Sequence, residues 1–584
     1  MRTLPCVLGV LALMVGVPAR AQDVWPVAWG ASAMDKVRPQ TPPGSSAGVR
    51  LIAARNEFVS FQVGLHGGAM GWSGVSARLP VLEGPILIEG ADIVVYRETL
   101  LRTTRASTGY TDTGLWPDGL IPDVDETVGE KRQAFPMDVP AGESRAIWVD
   151  VHVPMNAPPG EYHGTVELEG GGYSTRVDVS LTVLDAELPS TASLRTHFIL
   201  WSPSVCKAFT GERDCARETL YPLLSAFQRL GLEHRVTLSS QFDPQSVPDR
   251  PTFEAWWGPF LFGTAPTRLP GARMTSVQFL GYQTPDRISD FAAWMEAHGL
   301  LSIAFNFVID EPHSDSMFDD VRVLATQSRQ AAPGLRTLLT SNLQAVHGYG
   351  LTDLIDILVV PVNFIDGSRA PFAGDQRSEY APFLALPGRE LWLYQSCMSH
   401  GCGGRIAAEN IPSQGWPSYM VDRPASKARA MEWVSFLEGA TGEHYYEVAQ
   451  MLSTAWTDQY AFFGNGDGTL FYPGTVEIIG GTTDVPLPSM RLKLIRLGLQ
   501  DYEWLERVSN AGDPAFARQV ARELIPAAWR VTDDGRAFDR ARLRLIRRYL
   551  QLVGGEVPAW VEDAISEPLV TAPRNPDVFL RSAQ

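Results

Sequence analysis

The chain has 584 residues, 45% hydrophobic and 20% charged, with a formal net charge of -17. That is the composition of a globular protein long enough for two or three full cores, and it excludes a disordered chain. The acidic balance argues against nucleic acid or an anionic membrane as the main partner.

Arg2, the apolar run Val7 to Val17 and the small-residue site Ala19-Arg20-Ala21 read as a signal peptide over residues 1–21, cleaved before Gln22. An exported chain, secreted or periplasmic, is therefore expected. Cys6 lies inside the signal behind Thr3-Leu4-Pro5, so no lipidation is expected. Beyond the signal no apolar run approaches the roughly 20 residues of a membrane span, and a soluble mature chain is predicted.

Residues 22–189 are expected to form an N-terminal β-sandwich. The text is short alternating segments split by Gly and Pro, such as Phe58 to Val63 and Ala146 to Val151. Ala157 to Tyr162 reads as a turn feeding a strand from Gly164 to Leu168. A last strand, Thr175 to Leu184, leads into a linker at Leu188-Pro189-Ser190, and no helix of consequence is expected here.

Residues 190–475 change rhythm to strands alternating with amphipathic helices, the pattern of a TIM-like (β/α)8 barrel. Predicted strands are Thr196 to Trp201, Arg235 to Ser239, Ser276 to Leu280, Ser302 to Ile309, Arg336 to Thr340, Ile357 to Val362, Glu390 to Gln395 and His444 to Ala449. Predicted helices are Ala216 to Leu230, Arg287 to His298, Met317 to Ala332 and Ala425 to Glu438. Residues 476–584 complete the chain as a C-terminal helical extension, with helices from Ser489 to Val508, Pro514 to Leu524 and Phe538 to Leu552, and an irregular tail beyond Glu556. The whole is a multidomain β plus α/β protein.

Cys206, Cys215, Cys397 and Cys402 remain after signal cleavage. In an oxidising compartment two close pairs suggest the disulfides Cys206 with Cys215 and Cys397 with Cys402, although three connectivities are possible. A rival reading takes Cys397, His400 and Cys402 as metal ligands. Zinc sites usually show a second matching cluster, so no metal and no cofactor is expected. Gly464 to Gly468 is too short for a calcium-binding EF-hand loop and reads as a turn.

The segment Phe305-Asn306-Phe307-Val308-Ile309-Asp310-Glu311-Pro312 is the most informative. An apolar strand ends in two acids, and in a parallel barrel the C-terminal ends of strands form the reactive rim. Pro312 biases Glu311 toward extended backbone and blocks an immediate helix. The alternative is that the acids cap the helix beginning near Ser314, but one acid suffices for a cap, and Ser314 and Asp315 stand closer to it.

Downstream of Asp310-Glu311-Pro312 lie Trp392 through Cys397, Gly464 through Gly474, and Arg491 through Glu503; upstream lie Asn56-Glu57 and Trp116-Pro117-Asp118-Gly119-Leu120. In that order and spacing the chain resembles the glycoside hydrolase family 123 catalytic region with its C-terminal domain of the DUF4091 type. Lys493 departs from the pattern, standing where an acidic residue is expected. The resemblance implies a β-N-acetylgalactosaminidase with a glycan substrate and substrate-assisted catalysis. By the same resemblance Glu311 is the general acid, and Asp310 orients the 2-acetamido group whose carbonyl oxygen attacks the anomeric carbon. Such enzymes are exceptions to the two-carboxylate scheme. Glu311 is then expected to be protonated near neutral pH, helped by aromatic neighbours and the Asp310 charge, and Asp310 to be ionised against the oxazolinium.

Sugar sites also use flat aromatic platforms. The candidates for substrate binding are Tyr394, Tyr472, Trp456, Trp257 and Tyr446, with Trp256 beside them. Asp501-Tyr502-Glu503, on a helix with Arg496 and Gln500, reads as a structural ion-pair node. Two further readings stand against the first. One is a two-carboxylate retaining glycosidase with Glu447 as nucleophile, and the other is a non-catalytic glycan-binding surface protein.

Overall fold

The computed structural model describes residues 25–107, 113–240, 250–396 and 415–565. The signal segment and the expected Cys397–Cys402 pair, with His400, lie outside the described residues. The architecture is a β-rich N-terminal region, a nearly closed parallel barrel of eight strands, and helices that bind the two together.

In the N-terminal region one sheet orders the strands Val27–Ser32, Phe58–His66, Ser144–His152, Ile93–Thr103 and Gly114–Pro122. The facing sheet orders Gly48–Arg55, Tyr173–Glu187, Gly160–Gly170, Trp72–Arg78 and Met137–Val139. Alternation decides what fills the space between them. Val59, Phe61, Val63 and Leu65 point inward from one sheet and Val177, Val179, Leu181 and Val183 from the other. The opposite face of the first sheet carries Phe58, Tyr96 and Trp148, which join the core of the barrel and its helices.

The barrel strands, in chain order, are Arg195–Leu200, Leu238–Ser240, Val277–Phe279, Ala304–Ile309, Arg336–Thr340, Ile357–Pro361, Glu390–Tyr394 and Gly442–Tyr445. Every paired neighbour is parallel, and the sheet runs second, first, eighth, seventh, sixth, fifth, fourth, third. Between the second and third strands threonines replace the missing ladder. Thr275 N donates to Thr237 Oγ1 at 2.8 Å, Thr237 N to Thr196 Oγ1 at 2.7 Å, and Thr196 N to Thr275 Oγ1 at 3.0 Å. Inside, Phe305, Leu338, Ile357, Val359, Trp392 and Tyr394 form one cluster, while Leu339, Leu358, Val360, Leu391 and Leu393 face the surrounding helices. Gly442 permits this packing, because a Cβ there would lie 2.5 Å from the Trp392 indole.

All eight predicted strands are present, and the eighth begins earlier than His444 and ends at Tyr445. Past it the ladder ends: the Glu447 carboxylate accepts the amides of Val448 and Ala449, and the Val448 N–H also reaches the Ile199 carbonyl on the first strand at 2.9 Å. The helix expected over Ala425 to Glu438 is broken into Ala425–Ala428 and Met431–Glu438. The helices Ser202–Thr210, Arg250–Phe262 and Arg377–Leu384 were not expected, and each carries a proline within its span. Cys206, in the first of these, is bonded to Cys215.

The helix Met490–Asn510 is buried on nearly every side despite its charges, because its fully buried charges meet partners from elsewhere in the chain. Arg491 pairs with Asp118, Lys493 and Arg496 with Asp150, and Gln500 with both backbone groups of Phe58. Asp501 accepts both arms of Arg429 and the Trp433 indole N–H, and Glu503 takes the N–H and hydroxyl of Ser193. The node expected at Asp501-Tyr502-Glu503 exists, but its partners are not Arg496 and Gln500. The hairpin of Phe471–Gly474 and Val485–Pro488 straddles position 475, where sequence reasoning divided barrel from extension. Among the described residues no helix is long and apolar enough to cross a membrane.

Candidate active site

Strand alternation alone would place Asp310 outside the barrel. Phe305 and Phe307 point inward with the interior cluster, so the next inward position is residue 309. The pairing between the fourth and fifth strands instead slips between Phe307 and Ile309, and both Val308 and Ile309 pack against the outer core. This bulge restores the inward phase one residue later, at Asp310. Its Oδ1 accepts from the hydroxyl of Thr340, at the end of the fifth strand, at 2.8 Å.

Glu311 follows with a φ of 42°, a left-handed backbone uncommon for a residue with a side chain. Its N–H donates to the same Thr340 Oγ1 at 2.7 Å. The turn sends the Glu311 carboxylate across the mouth to the phenol of Tyr394, on the seventh strand, which donates to Oε1. Sequence reasoning expected Glu311 in extended backbone ahead of Pro312; the bond from its amide to Thr340 is what holds the alternative. One threonine hydroxyl thus engages both acids, and one tyrosine engages the second.

Asp310 and Glu311 are both exposed at the rim, so the carboxylates face the mouth rather than an apolar pocket. Tyr394 is buried, and burial followed by the nearby Glu311 charge pushes its phenol well above the usual range, keeping it a donor. Below them lie two buried histidines, His197 on the first strand and His444 on the eighth, stacked with ring centroids 5.0 Å apart and their Nδ1 atoms at 2.9 Å. Burial holds His444 down to about 4, against the opposing pull of the Asp310 carboxylate, and holds His197 lower than usual. Phe307 and Tyr394 meet the His444 ring edge-on at 6.0 and 6.1 Å.

The other predicted residues are dispersed. Tyr472 is buried against Ile121 and Leu487, and its hydroxyl donates to Asp118 at 2.6 Å. Trp456 lies tilted against it with ring centroids 4.6 Å apart and donates its indole N–H to the Pro473 carbonyl. Trp257 is buried in the barrel's helical shell beside Phe260, and Trp256 packs on Tyr221. These four serve packing. Tyr446 is half-buried just past the eighth strand, with its ring 5.8 Å from that of Phe462. Glu447 is buried, its Oε1 accepting the amides of Val448, Ala449 and Trp201 at 2.9, 2.6 and 3.4 Å, and burial raises its carboxyl to about 8.

Sequence reasoning missed Thr340, His197, His444 and Trp201. The first three were marked by polar or ionisable residues at interior positions of otherwise apolar strands. Trp201 directly follows the first strand and remains 40% exposed, with the Arg213 guanidinium 5.7 Å from its ring.

A parallel barrel with adjacent carboxylates on its C-terminal rim has the layout of barrel glycoside hydrolases. Residues 89–170 match the family described as Glycoside hydrolase 123 N-terminal domain. The whole fold is similar to that of a family 123 glycoside hydrolase from Clostridium perfringens, whose structural analysis concerned glycolipid glycan hydrolysis. The TM-score is 0.62 at 13% identity, over 93% of this chain and 99% of that one. A glycosyl hydrolase family 2 member from Bacteroides cellulosilyticus matches with a TM-score of 0.25 at 9% identity, over 71% of this chain and 45% of its own. Among curated proteins none matches by sequence. Residues 89–170 are thus similar in sequence to a family 123 N-terminal domain, and the fold of the whole chain is similar to that of a family 123 glycoside hydrolase.

Proposed function

We propose that this protein removes a terminal β-linked N-acetylhexosamine, N-acetylgalactosamine by family likeness, through substrate-assisted retaining hydrolysis. The observation that carries the reading is the single Thr340 hydroxyl that accepts from the Glu311 amide and donates to the Asp310 carboxylate, fixing two adjacent acids at the barrel mouth. Glu311, steadied by Tyr394, protonates the glycosidic oxygen as the bond to the anomeric carbon breaks. Asp310 orients the 2-acetamido group and balances the positive charge of the oxazolinium that its carbonyl oxygen forms. Water then opens that ring with Glu311 as base, and no protein nucleophile takes part. Glu447 is engaged by backbone amides, which favours this reading over a two-carboxylate mechanism.

The Ala19-Arg20-Ala21 site and the Cys206–Cys215 disulfide support export to an oxidising compartment. The direct test is hydrolysis of nitrophenyl N-acetyl-β-galactosaminide and N-acetyl-β-glucosaminide, with the matching β-galactoside as control. Release should require the acetamido group and should fall at least about a hundredfold in Glu311→Gln. Equal release by Glu311→Gln, or equally fast cleavage of the plain galactoside, would sink the assignment.

A further inference from the structure

Phe462 and Phe463 are the two central residues of a hairpin between the short strands Tyr460–Ala461 and Gly464–Asn465. Both have left-handed backbones, with φ of 46° and 70°. A two-residue hairpin with positive φ at both positions normally takes Asn-Gly, because bulky side chains are strained there. Both rings are also largely open to solvent, 41% and 49% exposed. Neither core packing nor turn preference accounts for the pair, and such strain persists where the surroundings over-determine it.

The surroundings do so here. At the base of the hairpin the Arg105 guanidinium lies 4.2 Å from the Tyr460 ring centroid. Asn465 donates from its side chain to the Arg105 carbonyl at 2.8 Å and to Asp422 at 2.9 Å, and its N–H donates to Ser107 Oγ at 2.7 Å. At the tip the Phe462 ring meets Tyr446. Tyr446 lies two residues beyond His444, which sits beneath Asp310, so about 7 Å of extended chain separates the two. The base of the hairpin is held at several points, and its tip stands beside Tyr446, just past the end of the eighth strand on the rim that also carries the carboxylates.

We propose that Phe462 and Phe463 form an apolar platform for the sugar ring on the leaving-group side of the scissile bond, selecting substrates whose N-acetylhexosamine is attached to another pyranose. The pair would present a flat hydrocarbon face to the apolar face of that ring, while Asp310 and Glu311 engage the acetamido sugar. This rests on the hydrolase reading above for its direction along the glycan, but the platform itself requires only binding.

The test is the double substitution Phe462→Asn with Phe463→Gly, which installs the favoured turn and removes both rings. Its melting temperature should equal or exceed that of the wild type. Calorimetric titration then compares N-acetylgalactosaminyl-β-1,4-galactose and N,N′-diacetylchitobiose with the methyl glycosides of their acetamido sugars, in the Glu311→Gln background so that nothing is consumed. At least one disaccharide should lose about tenfold in affinity on the double substitution, with its methyl glycoside within twofold. Equal affinities for the disaccharides before and after, no measurable disaccharide binding, or an equal loss for the methyl glycosides would overturn the platform. Failure of the hydrolase reading is seen separately, as a wild-type protein that cleaves neither disaccharide yet binds one of them in a Phe-dependent way.

Discussion

Tyr394 donates its phenol hydrogen to the Glu311 carboxylate across the barrel mouth, joining the seventh strand to the turn that follows the fourth. The bond orients the acid, and burial keeps the donor protonated. Tyr394→Phe keeps the ring and its edge contact with His444 while removing the hydrogen bond. Hydrogen bonds to charged groups contribute about 1.5–3 kcal/mol, so kcat/KM should fall roughly ten- to a hundredfold with the melting temperature nearly unchanged. Activity within twofold of wild type would remove Tyr394 from the machinery.

Thr340 is the single point on which both acids are hung. Thr340→Val preserves shape but loses the acceptor for the Glu311 amide and the donor for Asp310. Glu311 would then lose the contact that holds its left-handed backbone. The expected outcome is a fall in kcat of about a hundredfold with a smaller change in KM, and Thr340→Ser should restore most of the activity. A serine variant as impaired as valine would mean that the methyl packing, not the hydroxyl, matters.

Glu447→Gln separates the mechanisms. Its Oε1 accepts three backbone amides, and burial raises the carboxyl to about 8, so near neutral pH it is already largely protonated and a glutamine mimics it. Hydrolysis should stay within about threefold of wild type, whereas loss of a true nucleophile reduces rates by at least about a thousandfold.

Why some of this was legible and some was not follows from the range of the interactions. Eight strands and the acids at the end of the fourth are local signals, carried by apolar runs and the stop at Asp310-Glu311-Pro312. The bulge at Val308-Ile309, which turns Asp310 inward, depends on the register of a neighbouring strand. The Thr340 bond depends on a residue 29 positions from Glu311. The aromatic candidates scattered because composition cannot distinguish a ring facing the mouth from one filling a seam. Tyr472 answers Asp118 across 354 positions, and Trp257 lies within the helical shell. The exposed pair Phe462-Phe463 went unread because its sequence resembles a core strand, and only the positive φ values identify it as a turn.

Buried carboxyls predict how stability responds to pH. Glu98 is buried with no hydrogen bond to either oxygen among the described residues, and burial pushes it up to about 8, with Lys36 opposing and Asp118 reinforcing. Burial likewise raises Glu443 to about 8 against the Tyr419 hydrogen bond, and Glu447 to about 8. Below the ordinary value of 4.5 these groups are protonated in both folded and unfolded chains and have no effect. Between 4.5 and about 8 the unfolded chain releases the proton and the folded chain keeps it, so the folded state holds more protons and stability falls as pH rises. Above about 8 the folded groups ionise as well and the loss levels off. These three carboxyls therefore lower stability from about pH 5 to pH 8, while the buried His197 and His444, held below the ordinary 6.5, oppose them up to about that pH, so the net decline is clearest between about 6.5 and 8. Glu98→Gln, which has no proton to lose, should match wild type near pH 5 and exceed it by roughly 2–3 kcal/mol at pH 7, by the 1.36 kcal/mol per pH unit of linkage. Denaturant melts of both proteins at the two pH values decide it; a glutamine variant that is less stable at both would mean that Glu98 is ionised in the folded protein and paired with Lys36.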